Sequence, residues 1–212
     1  EAQRELQSEF ETTDLADRIV EAVVTEELSD LQSEFILNRN MFYLSTIDES
    51  GYPSCSYKGG DLGFVRVIDP RTVVFPNYDG NGMFMSMGNI QAKEKVGLLF
   101  IDFETPQRLR LRGEARCHRK GPMLASYPGA NLVVEISVDH VWVNCPRYVH
   151  RMQSLEESPY LPGKDGNTAL ALWKRIDIVQ DVLKSQDRAE AESLGLITVE
   201  EYEAYVARGK LL

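Results

Sequence analysis

The sequence predicts a mainly β chain of the α+β class: an antiparallel sheet, closed or sandwiched, with helices flanking it at both termini. Three observations lead there. Between Met41 and Val143 at least seven short apolar runs alternate with turn signals, the pattern of a many-stranded antiparallel sheet. Residues 1 to 40 instead place Leu15, Ile19, Ala22, Val23, Leu28, Leu31 and Phe35 at roughly helical spacing, with charges between them. The tail returns to helix, with Trp173, Ile176 and Val179 at helical spacing between Leu170 and Val182, and a capping box at Thr198-Val-Glu-Glu201.

Each element follows in order. Thr13 or Asp14 caps the main N-terminal helix and Asp17 sits in its first turn. Strands are expected at Met41 to Ile47, Ser54 to Gly59, Phe64 to Ile68, Thr72 to Pro76, Val96 to Phe103, Arg108 to His118 and Leu132 to Val143. Asp48-Glu-Ser-Gly51 and Asp69-Pro-Arg71 are turns, and Ser86 caps a short helix running to Lys95. Ser158 to Gly166 is a Pro- and Gly-rich loop. The division is a helical extension at 1–40, a barrel at 41–155, and a tail at 156–212 that packs on the barrel or on a partner subunit.

Composition narrows the function. With 212 residues, 43% hydrophobic, the chain supports one well-filled core. A net charge of −10 argues against nucleic acid and anionic membranes as partners. No apolar run reaches membrane-spanning length, and Glu1-Ala-Gln-Arg-Glu-Leu6 is not a signal peptide; lacking an initiator Met, the chain reads as trimmed. Cys55, Cys117 and Cys145 are odd in number and scattered, which fits a reducing cytoplasm. Three scattered histidines with no HxH or HExxH spacing offer no metal site.

Against that acidic background, Gln107-Arg-Leu-Arg-Leu-Arg-Gly113 stands out. Strand alternation sends Leu109 and Leu111 one way and Arg108, Arg110 and Arg112 the other. Arginine forks suit phosphate; the competing reading is a solvated face paired to Asp102 or Glu104. Some twenty residues earlier, Asn77 to Ile90 is rich in Gly and Asn and leads into the helix start at Ser86. There, free N–H groups, the Ser86 hydroxyl and the Asn81 and Asn89 amides would favour an anion. The competing reading is an ordinary hairpin loop; together with the arginine row, a small-anion site is the better one. Val143 to Met152 places Arg147, His150 and Arg151 within about one helical turn, facing one pocket. Ser54-Cys-Ser-Tyr-Lys-Gly-Gly60 is small and polar, as where backbone meets a ligand, with Lys58 at its end.

Several of these segments fall in the order of a known family. Thr46-Ile-Asp-Glu-Ser-Gly-Tyr-Pro53 resembles the "T-x-D-x-x-G-x-P" opening hairpin of the pyridoxamine 5′-phosphate oxidase-like, FMN-binding split barrels. Gly63-Phe-Val-Arg-Val67, Phe75-Pro-Asn77, Gly88-Asn-Ile90, Val96-Gly-Leu-Leu-Phe100 and Arg110-Leu-Arg-Gly113 follow in the same order, and Asn144 to His150 resembles the ending of one branch. The resemblance covers roughly residues 35 to 155. It implies a six-stranded antiparallel split β-barrel that forms a homodimer with FMN between the subunits. Phe64, Val65, Arg66 and Val67 would lie along the flavin ring. Asn77, Asn81, Ser86 and Asn89 would approach the phosphate, and Arg108 and Arg110 would contribute flavin and phosphate contacts. Lys58 and His150 would line the active site, Lys58 stabilising negative charge on the reduced ring, with Tyr57 and Arg147 toward a small-molecule substrate. The true oxidases have Arg-Lys where this chain has Met85-Ser86. The expectation is therefore an FMN-dependent oxidoreductase acting on a small organic substrate. The alternatives are pyridoxamine 5′-phosphate oxidase itself, a deazaflavin coenzyme-dependent reductase, and a non-catalytic flavin or haem carrier or sensor.

Overall fold

The computed structural model describes residues 1–210. They form two compact units, one from Glu1 to Gln153 and one from Ser154 onward. In the first unit eight strands make one antiparallel sheet: β1 (Val24–Thr25), β2 (Met41–Ile47), β3 (Pro53–Gly59), β4 (Arg66–Asp69), β5 (Thr72–Asn77), β6 (Lys95–Asp102), β7 (Gln107–His118) and β8 (Leu132–Asn144). Their order is β3-β2-β6-β7-β8-β5-β4, with β1 added to β8. All seven expected strands are present. The count exceeds the six implied by resemblance partly because the two-residue β1 pairs Val24 with Trp142 and Thr25 with Val141.

The sheet rolls up, and four rings show it. Phe42 on β2 and Phe75 on β5 are separated in the sheet by β6, β7 and β8. In a flat sheet that separation would be roughly 19 Å at about 4.8 Å per strand. Their ring centroids are 5.0 Å apart, and Phe42 also meets Phe100 at 5.2 Å and Phe64 at 5.9 Å. The edge strands β3 and β4 do not pair with each other, so the barrel is split.

Strand alternation explains the lining. On β7, Leu109, Leu111 and Ala115 are buried while Arg110 and Arg112 face out. Register shifts between Arg112 and Gly113, where β7 bulges against β8. A Cβ at Gly113 would run into the Ser137 carbonyl oxygen. Gly113→Ala is therefore expected to cost about 1–3 kcal/mol of stability, read as a lower urea midpoint with unchanged slope.

The helices differ more from expectation. The single N-terminal helix is three: α1 (Ala2–Glu9), α2 (Thr13–Val23) and α3 (Asp30–Leu37). Glu11, with φ 54°, breaks the first pair. Thr12, not Thr13 or Asp14, is the α2 cap residue, and its side chain makes no cap bond. A Ser29–Gln32 capping box starts α3. The predicted strand at Phe64 begins only at Arg66, because Asp61 to Phe64 closes a turn through the Phe64 N–H and Asp61 carbonyl. Helix α4 (Met85–Ala92) and the short α5 (Pro122–Ala125) complete the unit.

In the second unit the expected helix at Leu170 to Val182 is two 3-10 turns, Leu172–Arg175 and Asp177–Val182. Helix α6 (Ser185–Leu194) follows, and α7 (Val199–Ala207) starts at the expected capping box, with Thr198 Oγ1 and Glu201 Oε2 each accepting from the other's backbone N–H. Leu172, Ile176 and Ile197 form its small core. Among the described residues no helix is long and apolar enough to cross a membrane.

Candidate functional site

The inner face of the barrel turns polar at β3. Its register opposes Lys58 to Phe42, Ser56 to Leu44 and Ser54 to Thr46. Phe42 and Leu44 point into the core, so period-two alternation puts Ser54, Ser56 and Lys58 on the same face. β3 is an edge, and no further strand covers it. Helix α4 comes alongside instead, with the Ser86 hydroxyl 3.0 Å from that of Ser56. A cavity of about 380 Å³ opens there, lined by residues 56–59, 76–82 and 84–87. That is within the range of small-molecule sites.

Two features give the cavity its electrostatics. Lys58 is the only basic side chain among the described residues that line it. It is half-buried, and burial pushes its ammonium below the usual lysine pKa. Among the described residues it has no carboxylate at ion-pairing distance. The second feature is the start of α4. The Gly88 N–H donates to the Phe84 carbonyl at 2.7 Å as the helix begins, so the N–H groups of Met85, Ser86 and Met87 have no intrahelical acceptor. Such a helix start favours an anion. Asp79 also lines the wall.

Ser86 is not the cap. Phe84 holds that position in the left-handed region at φ 50°, turning the chain into α4 two residues earlier than expected. This leaves the nearly buried Ser86 hydroxyl for Ser56.

The predicted site residues divide. Tyr57, Lys58, Asn77, Asn81 and Ser86 all line the cavity. Asn77 is anchored through its amide to Asn131 Oδ1 at 2.8 Å, and Asn81 Oδ1 accepts the Met83 N–H at 3.1 Å, shaping the loop. The others stand elsewhere. Phe64 and Val65 are buried in the core, with Val67 packed against it, so none of these side chains opens on the cavity. Arg66 donates to Ser126 Oγ at 2.7 Å and stacks on Tyr127 at 3.7 Å. Asn89 is turned to the buried Thr46 hydroxyl at 3.0 Å. Arg108 donates to the Cys145 carbonyl and Arg110 is exposed on the outer face; neither lines the cavity. Asp102, a partner considered for the arginine row, is taken by Arg39 at 2.8 Å.

Arg147, His150 and Arg151 do not share a helical turn, because residues 145–171 form no helix or strand. Arg147 and His150 are exposed and do not line the cavity, and Arg151 donates to the Glu104 carbonyl at 3.2 Å. Ser56 and Tyr78, which also line it, lie in the two segments read as ligand-facing but were not singled out within them. The signal for Ser56 was present: Ser54, Ser56 and Lys58 alternate with Cys55 and Tyr57, a polar inward face on a strand next to an apolar one.

Solved structures with similar folds include a pyridoxamine 5′-phosphate oxidase candidate from Lactobacillus delbrueckii, 25% identical at a TM-score of 0.46 over 56% of this chain and 95% of that one. The haem storage protein HutZ from Vibrio cholerae is 16% identical at 0.40, over 52% and 89%. An FMN-binding protein from Syntrophomonas wolfei is 13% identical at 0.39, over 68% and 98%. No curated protein matches the sequence. The family model described as pyridoxamine 5′-phosphate oxidase matches residues 28–159, a span that takes in the whole barrel from β2 to β8 and both walls of the cavity, and the chain belongs to that family.

Proposed function

We propose that the chain binds FMN with its phosphate at the β3–α4 cavity and acts as an FMN-dependent oxidoreductase on a small organic substrate, as a homodimer. One observation carries this reading: a half-buried Lys58 without a carboxylate partner shares a cavity with the open N-terminus of α4. That donor set suits a phosphate, through charge-assisted hydrogen bonds from Lys58 and the first-turn N–H groups. The Ser56 and Ser86 hydroxyls and the Asn81 amide add neutral donors. Met85 and Ser86 supply no cation, so Lys58 and the helix start carry the role that Arg-Lys has in the true oxidases. Bound FMN supplies the hydride chemistry. This chain's part is to hold the phosphate end, to present a partly desolvated Lys58 to it, and to bound the substrate space with the exposed Tyr57 at the rim.

No histidine is among the residues that line the cavity, which favours a phosphate ligand over haem. The test is an absorbance titration of the purified protein with FMN, followed by an aerobic assay with pyridoxamine 5′-phosphate. Saturable FMN binding without pyridoxal 5′-phosphate formation supports an oxidoreductase of other substrate range. Formation of that aldehyde makes the chain the oxidase proper. Absence of FMN binding overturns the reading and gives weight to a deazaflavin coenzyme.

A further inference from the structure

Helix α4 borders a second hollow besides the β3–α4 cavity. Its volume is about 270 Å³, and it is lined by Met87, Gly88 and Gln91 of α4, by Cys117 and Arg119 at and just past the end of β7, and by Leu132 at the start of β8. Phe84 and Met87 border both hollows and stand as the partition between them.

Strand alternation builds this site. The inward positions of β7 run through Gly113, Ala115 and Cys117, and the same parity carries Arg119, one residue past the end of the strand, to the hollow. The floor is apolar, since Met87 and Leu132 belong to the core and Cys117 packs against it. Burial pushes the Cys117 thiol up, so it stays protonated at neutral pH. Gly88 leaves its side open: a Cβ there would meet nothing within 4 Å. Arg119 is the one charged residue among the described residues that line the hollow. Its neighbours Arg116 and His118 are answered by Glu94 at 3.9 Å and Glu135 at 3.5 Å. Among the described residues the Arg119 guanidinium and the Gln91 amide have no such partner.

We propose that this hollow binds a small aromatic monocarboxylate, with its ring between Phe84, Met87 and Leu132 and its carboxylate on Arg119 and the Gln91 amide. A guanidinium fork takes a carboxylate through two parallel hydrogen bonds. An aromatic ring suits a wall made of a phenyl group and a thioether. The volume is just below the roughly 300 Å³ at which drug-sized sites begin, which fits a ligand of one ring. A phosphate is the poorer match, because the site has a single cation and the Gly88 N–H is already given to the Phe84 carbonyl.

Hydrocinnamate is the probe, and hydrocinnamyl alcohol its uncharged counterpart. Calorimetry gives their affinities for the full chain, and Cys117 reports where they bind. Alkylation by N-ethylmaleimide, read by peptide mass spectrometry, follows each thiol separately, with the exposed Cys55 and Cys145 as controls in the same molecule. At about twice its dissociation constant, hydrocinnamate should slow Cys117 about threefold and leave the controls unchanged. Arg119→Gln should weaken hydrocinnamate about tenfold and leave the alcohol as it was. Gly88→Leu, which fills the open side and favours the helix, should weaken both, with circular dichroism as a check on folding. None of these readouts needs a flavin, so they stand apart from the FMN reading. Absence of hydrocinnamate binding, equal slowing of all three thiols, an alcohol that binds as tightly as the carboxylate, or either variant with unchanged affinities would each overturn the proposal.

Discussion

Replacing Lys58 by Met should weaken FMN binding roughly 10- to 100-fold at pH 7, the scale of one lost hydrogen bond from a charged donor. The apolar stem is kept, so the loss reports the ammonium. Because burial pushes the Lys58 pKa below its usual value, FMN affinity in the wild type should fall as pH rises through that lowered pKa. The Met variant should lack this fall. Stability without ligand should move the other way. Between the lowered folded pKa and the unfolded value, the unfolded chain binds more protons, so this group makes stability rise with pH across that window. Fluorescence titrations at several pH values, paired with urea melts, check both signs. Equal affinities for the two proteins at pH 7 would remove Lys58 from the site.

Phe42→Ala should cost about 3–5 kcal/mol of folding stability. Phe42 is fully buried and touches Phe64, Phe75 and Phe100, the rings through which opposite sides of the rolled sheet meet. Removing it leaves a cavity where β2, β5 and β6 come together, and the surrounding strands, held in register by their ladders, cannot collapse into it. A chemical-denaturation midpoint shift measures the effect. A loss below about 1 kcal/mol would mean that the sheet closes through other contacts.

The strands were legible because their pattern is local. Alternation on β7 and the turn at Asp48 to Gly51 need only neighbouring residues, and both are in place, with Gly51 at φ 93° and the Tyr52 N–H donating to Asp48 Oδ1 at 2.8 Å. The helical N-terminus was misjudged as one element because apolar periodicity ran across two breaks. Those breaks come from a left-handed Glu11 and a capping box at Ser29, and only the second leaves a sequence signature. In the site, loop and strand signals led to Asn77, Asn81, Ser86 and Lys58, which the fold brings together. Phe64, Val65 and Asn89 stand away from the cavity because direction depends on pairing partners distant in sequence: the turn after Asp61 delivers Phe64 inward, and Thr46, 43 residues away, takes the Asn89 amide. Arg108 and Arg110 do form an outward cationic row, on the barrel face opposite to its core.

The phosphate cradle is tested most directly by comparing FMN with riboflavin, which has the same ring and lacks the phosphate, in equilibrium titrations of the same protein at pH 7. FMN is expected to bind at least about 100-fold more tightly, since two or more charge-assisted hydrogen bonds separate the ligands. Equal affinities would show that the β3–α4 cavity does not hold the phosphate and would contradict the assignment.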